Sequence, residues 1–387
     1  MRGKRLLLVF AVLLLAGCSP GGTQPTPSPA QQGAASGTTP AAAGQAGMGP
    51  VERIPPSPNT KGPRGEPATD TADIQLSDDD INQLKGKNLT AAIAWPASFQ
   101  FYKVAAEGIK SELNKVGATV VAETDSGYDP ARQASDVEAV LARNPSMIFT
   151  WLVDPVQETA TFRRAREQGA VLSFLSNLPD GFEHPDDYVG VVTDDLYGMG
   201  KAAAELLAEK MNGRGNIGWI FHDANSYVTN QRDNAFKEVI TTEYPDMKIV
   251  AEGGFAKPED AGSVANSMIL SNPDIEGIYV PWSVPAAGVV EVLRANNKSN
   301  VKVVTLDLDP TIAISLAKEE NVVGIIADVP FEIGRAMGVE ALWGVLGKEA
   351  PPFATVPTLK VTRDNLITAW KESLNEDPPA EVVNALK

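Results

Sequence analysis

The sequence predicts an α/β protein with parallel sheets covered by helices on both faces, divided into two domains. Three observations carry this. From about residue 86, short apolar runs alternate with helical patterns about ten times in succession. Such alternation belongs to parallel sheets wound by right-handed crossovers. The chain has 387 residues, beyond the roughly 250–300 at which a single core stops growing. Hydrophobic residues make up 43%, enough for packed cores and too many for an intrinsically disordered chain.

The elements follow in order. Leu89–Ala94 is an apolar run and reads as the first strand. A helix follows over about 101–116, because Tyr102, Ala105, Ile109 and Leu113 recur three to four apart on one face. Ala118–Ala122 and Ser146–Trp151 are strands flanking a helix at Ala131–Ala142. A helix running to Gly169 leads into the strands Ala170–Phe174 and Tyr188–Val192. Helices near 195–212, 228–242, 259–271, 285–296 and 311–319 then alternate with strands at Ile217–Phe221, Lys248–Ala251, Gly277–Val280, Val301–Leu306 and Val323–Ala327. A helix near 331–346, a strand at Thr358–Val361 and a helix from Thr362 close the chain.

The front of the chain addresses it out of the cytoplasm. Arg2, Lys4 and Arg5 precede the uncharged apolar run Leu6–Leu15, the pattern of a secretory signal. That run is too short for a permanent span, which needs about 20 apolar residues. It ends Leu15-Ala16-Gly17-Cys18, resembling the bacterial lipobox, so residues 1–17 read as a signal peptide and Cys18 as a lipidated first residue. Residues 18–85, rich in Pro, Gly, Ala and Thr, then read as a disordered tether to the cell membrane. Taken as a coil, residues 19–84 would reach roughly 45 Å.

Composition also excludes several chemistries. A formal charge of −16 argues against a nucleic-acid partner, which needs clustered Lys and Arg. One cysteine excludes a disulfide framework and a cysteine-based zinc site. His184 and His222 lack metal-ligand spacing, so no metal or cofactor is expected. GxxxxGK[ST] and GxSxG are absent. The glycines Gly213, Gly215 and Gly218 run into a strand, and Gly198, Gly200 and Ala203 lie inside a helix. Neither set has the strand–turn–helix setting of a phosphate cradle.

Ligands of open α/β sheets bind beyond the carboxyl ends of the strands. Those positions hold Trp95 and Phe99, Trp151, Ser176-Asn177, His222-Asp223, Trp282-Ser283, Asp307 and Asp328. Three of the six tryptophans fall there. Aromatic faces stack on sugar C–H faces or organic cations, while carboxylates accept from hydroxyls. Asp309-Pro310 reads as a helix cap, His222 as a loop histidine, and Asp194-Asp195 as the opening of a helix.

Residues 86–375 resemble the ribose-type periplasmic binding proteins, the sugar-binding components of ATP-binding-cassette importers. The matching stretches are Phe101–Gly108, Asn230–Phe236, Asn272–Tyr279 and Val303–Asp307. The resemblance implies two lobes joined by three hinge strands, crossing near 192–195, 327–330 and 357–361, and closing on a ligand without turning it over. The lobes would be 86–193 plus 329–358, and 194–328 plus 359–378. It places ligand contacts at Phe99, Phe101, Tyr102, Arg232, Asp307 and Asp328, joined by Trp95, Trp151, Ser176 and Trp282 from the strand ends. Where ribose binders carry Asp-Arg this chain has Leu175-Ser176, and where they carry Asn-Asp it has Trp282-Ser283. That implies another sugar, a polyol or a less polar ligand. The expected partners are a membrane permease and a lipid anchor, and the expected state is a monomer. An enzyme using Asp307 and Asp328, and a tethered sensor reporting to a receptor, are the competing classes. A repressor would need an N-terminal helix-turn-helix where this chain has its signal and tether.

Overall fold

The computed structural model describes residues 46–224 and 226–387. The expected signal peptide at residues 1–17, Cys18, and the tether as far as residue 45 lie outside the described residues. The described residues belong to one compact unit.

The described chain begins with β1 (Glu52–Ile54), β2 (Thr69–Asp70) and α1 (Asp78–Leu84). Then come β3 (Thr90–Trp95), α2 (Gln100–Val116), β4 (Thr119–Asp125), α3 (Pro130–Leu141), β5 (Met147–Thr150), α4 (Thr159–Glu167), β6 (Val171–Leu175) and β7 (Gly190–Asp194). The middle of the chain holds α5 (Leu196–Met211), β8 (Gly215–His222), α6 (Tyr227–Glu243), β9 (Met247–Phe255), α7 (Ala261–Ser271) and β10 (Gly277–Val280). After it come α8 (Ser283–Ala295), β11 (Lys302–Leu306), α9 (Pro310–Ala317) and β12 (Val322–Ala327). It ends with α10 (Pro330–Val345), β13 (Phe353–Val356), β14 (Thr358–Val361), α11 (Leu366–Leu374) and α12 (Ala380–Ala385).

These strands make two seven-stranded sheets, one per lobe. The first runs β2-β13-β7-β6-β5-β3-β4 and the second β1-β14-β12-β11-β10-β8-β9. All pairings are parallel except those of β14 with β12 and with β1. The two orders superpose strand for strand, so β3 corresponds to β8, β5 to β10, β6 to β11 and β7 to β12. The chain passes between lobes from β7 into α5, from β12 into α10, and from β13 into β14. Both faces of each sheet are covered, which is why the central strands read as unbroken apolar runs. Along β3, Ala91, Ile93 and Trp95 pack into one core and Ala92 and Ala94 into another.

The crossing helices pack close. A Cβ on Gly108 of α2 would collide with the Phe331 carbonyl of α10, and one on Gly334 with the Ala105 carbonyl of α2. The same device joins α5 to α6, where a Cβ on Gly200 would collide with the Arg232 carbonyl. Gly200, which resembles part of a nucleotide motif only by chance, is thus a packing glycine beneath Arg232.

Two features differ from the sequence reading. Residues 46–85 are no disordered tether: β1 pairs with β14, β2 pairs with β13, and Ile74 and Leu84 are buried in the main core. Ser77 and Asp80 form a capping box that starts α1. Composition hides this because edge strands are recruited through backbone hydrogen bonds, and proline is tolerated at such edges. The segment before residue 361 holds two strands instead of one, β13 and β14, with Pro357 between them as the chain changes sheets. Among the described residues, no helix is long and apolar enough to cross a membrane.

Candidate functional site

The carboxyl ends of the strands gather the candidate residues into groups. On the first lobe, Trp95 closes β3, and its ring centroid lies 5.7 Å from that of Tyr102 in the first turn of α2. Tyr102 lies 5.6 Å from Trp151, directly after β5, and meets Phe101 edge-on at 5.3 Å. The Tyr102 and Tyr128 hydroxyls are 3.2 Å apart, and burial pushes the Tyr102 phenol well up. Buried Gln133 pins the wall, donating to the Trp151 carbonyl at 2.9 Å and accepting from the Val153 amide at 2.8 Å. Phe99 stands apart, 63% exposed, with its ring 6.2 Å from Tyr128.

Ser176 and Asp307 occupy equivalent places, each directly after its strand and beside the crossing strand. Both take left-handed backbone conformations, φ 62° and 64°, a region few non-glycine residues adopt and one that concentrates at functional sites. The Ser176 amide donates to the Val192 carbonyl at 3.1 Å and the Asp307 amide to the Ile326 carbonyl at 3.0 Å. The Ser176 hydroxyl meets that of Thr193 at 2.7 Å.

Arg232, 5% exposed on α6, is the centre of a buried acidic group. Its Nη2 donates to Asp194 Oδ2 at 3.1 Å, and its Nη1 lies 3.5 Å from Asp307 Oδ1. Burial pulls its pKa down, but Asp307, Asp194 and Asp328 outweigh that and hold it above the usual value. Burial, relieved by Arg232 and reinforced by Asp307, pushes Asp194 up to about 6. Burial raises Asp307 against the pull of Arg232. Asp328 goes well above the carboxylate range through burial and its neighbours Asp307 and Asp194. Arg232 Nε, Asp194 Oδ1 and Asp307 Oδ1 are buried without a hydrogen-bond partner. Each such orphan costs about 1–3 kcal/mol, so a ligand that satisfies them gains affinity there.

A third group closes the second lobe. His222 ends β8 and meets Trp282 edge-on at 5.2 Å, while Phe255 lies 5.2 Å from Trp282. His222 Nδ1 contacts the Thr229 hydroxyl at 2.9 Å, and burial lowers its pKa. Asp233 accepts from the His222 amide at 2.9 Å and the Tyr279 hydroxyl at 2.8 Å, and burial still pushes it up to about 7. Among the described residues, no hydrogen bond joins the first-lobe aromatic wall to the Arg232 group or to Trp282.

Sequence reasoning missed Asp194 and Tyr128, and it read His222, which it placed at a strand end, only as a loop histidine. Asp194-Asp195 reads as one helix start, yet only Asp195 caps α5, accepting from the Gly198 amide at 3.1 Å. Asp194 turns the other way, to Arg232. The signal available was that Asp194 ends an apolar strand, where ligand groups sit. His222 falls at the strand end equivalent to that of Trp95. Asp309 caps α9 as expected, accepting from the Thr311 amide at 2.8 Å. The described residues hold no cluster of side chains suited to a metal ion.

The arrangement offers aromatic rings at strand ends of both lobes, with acceptors in excess around one guanidinium near the crossing strands. It suits reversible capture of a small solute with hydroxyl donors and C–H faces. Comparison with known proteins matches residues 91–349 to a family described as a periplasmic binding protein domain. The chain is 26% identical to the ABC transporter periplasmic-binding protein YphF of Escherichia coli (strain K12) over 259 residues, 65% of this chain and 77% of that protein. It is 25% identical to the D-apiose import binding protein of Actinobacillus succinogenes over 228 residues, 57% of this chain and 70% of that one. In fold it is similar to AraP, an arabinose binding protein from Geobacillus stearothermophilus, with a TM-score of 0.65 at 20% identity, covering 72% of this chain and 98% of that one.

Proposed function

The chain belongs to the periplasmic binding protein domain family, and from that premise we propose that it is the substrate-binding lipoprotein of an ATP-binding-cassette importer. It captures a small hydroxylated ligand, a sugar, between its lobes and delivers it to a membrane permease. The observation that carries this reading is the buried Arg232–Asp194–Asp307–Asp328 group, in which Arg232 Nε, Asp194 Oδ1 and Asp307 Oδ1 lack partners close to where the chain crosses between sheets. Charge-assisted hydrogen bonds to hydroxyls are what such a group supplies. Related proteins include one named for apiose and one for arabinose, both sugars.

In this reading Arg232 donates to ligand oxygens, while Asp307, Asp194 and Asp328 accept from hydroxyls. Trp95, Phe101, Tyr102 and Trp151 stack on one ligand face, Trp282 closes the other, and Ser176 replaces a charged clamp. Phe99 forms the outer lip. Loading uses the open lobes and delivery the closed ones. Cys18 carries the lipid that holds the monomeric protein to the cell membrane, and the ligand leaves unchanged.

The test is a thermal-shift panel of pentoses, hexoses, polyols, nucleosides and quaternary amines on the chain from Ser19 to Lys387. A ligand at one hundred times its dissociation constant adds about 2.7 kcal/mol, a shift of several degrees. A response among the sugars is the expected result. A response confined to amines or nucleosides would overturn the sugar assignment.

A further inference from the structure

The chain passes between the lobes three times after residue 190, but it also does so once before. β1 adds to β14 in the second sheet, with Glu52 opposite Lys360, whereas β2 adds to β13 in the first, with Thr69 opposite Ala354. Residues 55–68 therefore form a fourth connection, and what they touch is specific. Asp195 is fully buried, so its carboxylate needs donors. It finds the Ser57 amide at 2.7 Å and the Thr60 hydroxyl, besides the amide of Gly198 in its own helix. Thr60, itself fully buried, in turn accepts from the Tyr197 amide at 3.0 Å. One residue on, the Lys61 carbonyl accepts from Gln231 Nε2 at 3.1 Å and from the Tyr227 hydroxyl at 2.5 Å. The Lys61 amide returns a bond to Gln231 Oε1 at 3.3 Å. Beyond it, Gly62 lies against the Phe353 ring of the first lobe.

Asp195 is the neighbour of Asp194, and Gln231 is the neighbour of Arg232. Each half of the Asp194–Arg232 ion pair is therefore flanked by a residue that this stretch holds. We propose that residues 55–68 are a positioning strap, a fourth interlobe connection that fixes the Asp194–Arg232 corner and limits how far the lobes open. Thr60 is its principal positioning residue. It acts through Asp195 on a site it does not itself enter, and a strap fastened to both lobes resists their separation. This rests on the proposed binding function for its effect on affinity, but not for its effect on opening.

The experiment reads both. The chain from Ser19 onward has no cysteine, since Cys18 is the sole one in the sequence. Asn114→Cys and Thr241→Cys, exposed on α2 and α6, then carry spin labels that report the interlobe distance. In Thr60→Val, the ligand-free distance distribution should broaden and shift outward by several ångströms. Dissociation of the best sugar from the panel should quicken about tenfold, with Thr60→Ser restoring both. Gln231→Ala, which removes two bonds to Lys61 from a partly exposed position, should move both readouts the same way even if Thr60→Val fails to fold. An unchanged ligand-free distribution in the folded variants would overturn the strap, whatever happens to melting temperature. If no sugar binds, the proposed function fails while the distance measurement still decides the strap.

Discussion

Arg232 shares one guanidinium among three carboxylates, and that imbalance makes the site an acceptor. Asp307 is the carboxylate most free to serve a ligand, with 28% of its side chain exposed and one oxygen unpartnered. Asp307→Ala should weaken sugar binding about 10- to 100-fold, the range for a hydrogen bond to a charged group, as read by calorimetry. Unchanged affinity would remove Asp307 from the site. Trp282→Ala should reorder preference across the panel while the ligand-free melting temperature falls only slightly. A large loss of stability without ligand would make the ring structural.

Elsewhere Glu340 is fully buried in α10 against Gly190, its carboxyl oxygens unpartnered, and burial pushes its pKa well up. The folded chain holds the proton more tightly than the unfolded one. The associated stability is therefore full below the ordinary carboxylate range and is lost as pH rises toward the folded value. Glu340→Gln should raise the melting temperature at pH 8 by a few degrees, about 1 kcal/mol or more, and by clearly less at pH 4. Equal shifts at the two pH values would contradict this. The sequence showed the three tryptophans because a strand end locates them without knowledge of neighbours. It could not show Asp194, because which carboxylate of an Asp-Asp pair caps a helix depends on an arginine 38 residues away.

At the scale of elements, the strand–helix alternation was legible because the central strands are apolar runs separated by segments of helical periodicity. The edges were not. β1 and β2 are held by backbone pairing that leaves no side-chain pattern, and β13 is four residues long between prolines. Close helix contacts were equally hidden, since a glycine in a helix gives no hint of what lies against it. Gly200 is the consequential case. Gly200→Ala would push α6 outward at the Arg232 carbonyl, so it should cost affinity as well as stability. The expected result is a loss of at least tenfold in sugar affinity in a chain that still unfolds cooperatively. Wild-type affinity in that variant would show that α6 can shift without moving Arg232.

Across the whole molecule, two sheets of one topology exchange their crossing helices, α5 packing on α6 and α10 on α2. In the proposed binding function the lobes rotate about the strands that join them. Solution scattering should show a smaller radius of gyration with sugar than without it, and identical profiles would argue against closure. The binding function itself is tested most directly by a calorimetric titration of the chain from Ser19 to Lys387 with the best sugar, the solute then recovered for NMR. One molecule bound per chain and returned unchanged is the expected result. No saturable heat with any sugar or polyol, or a sugar recovered in altered form, would contradict it.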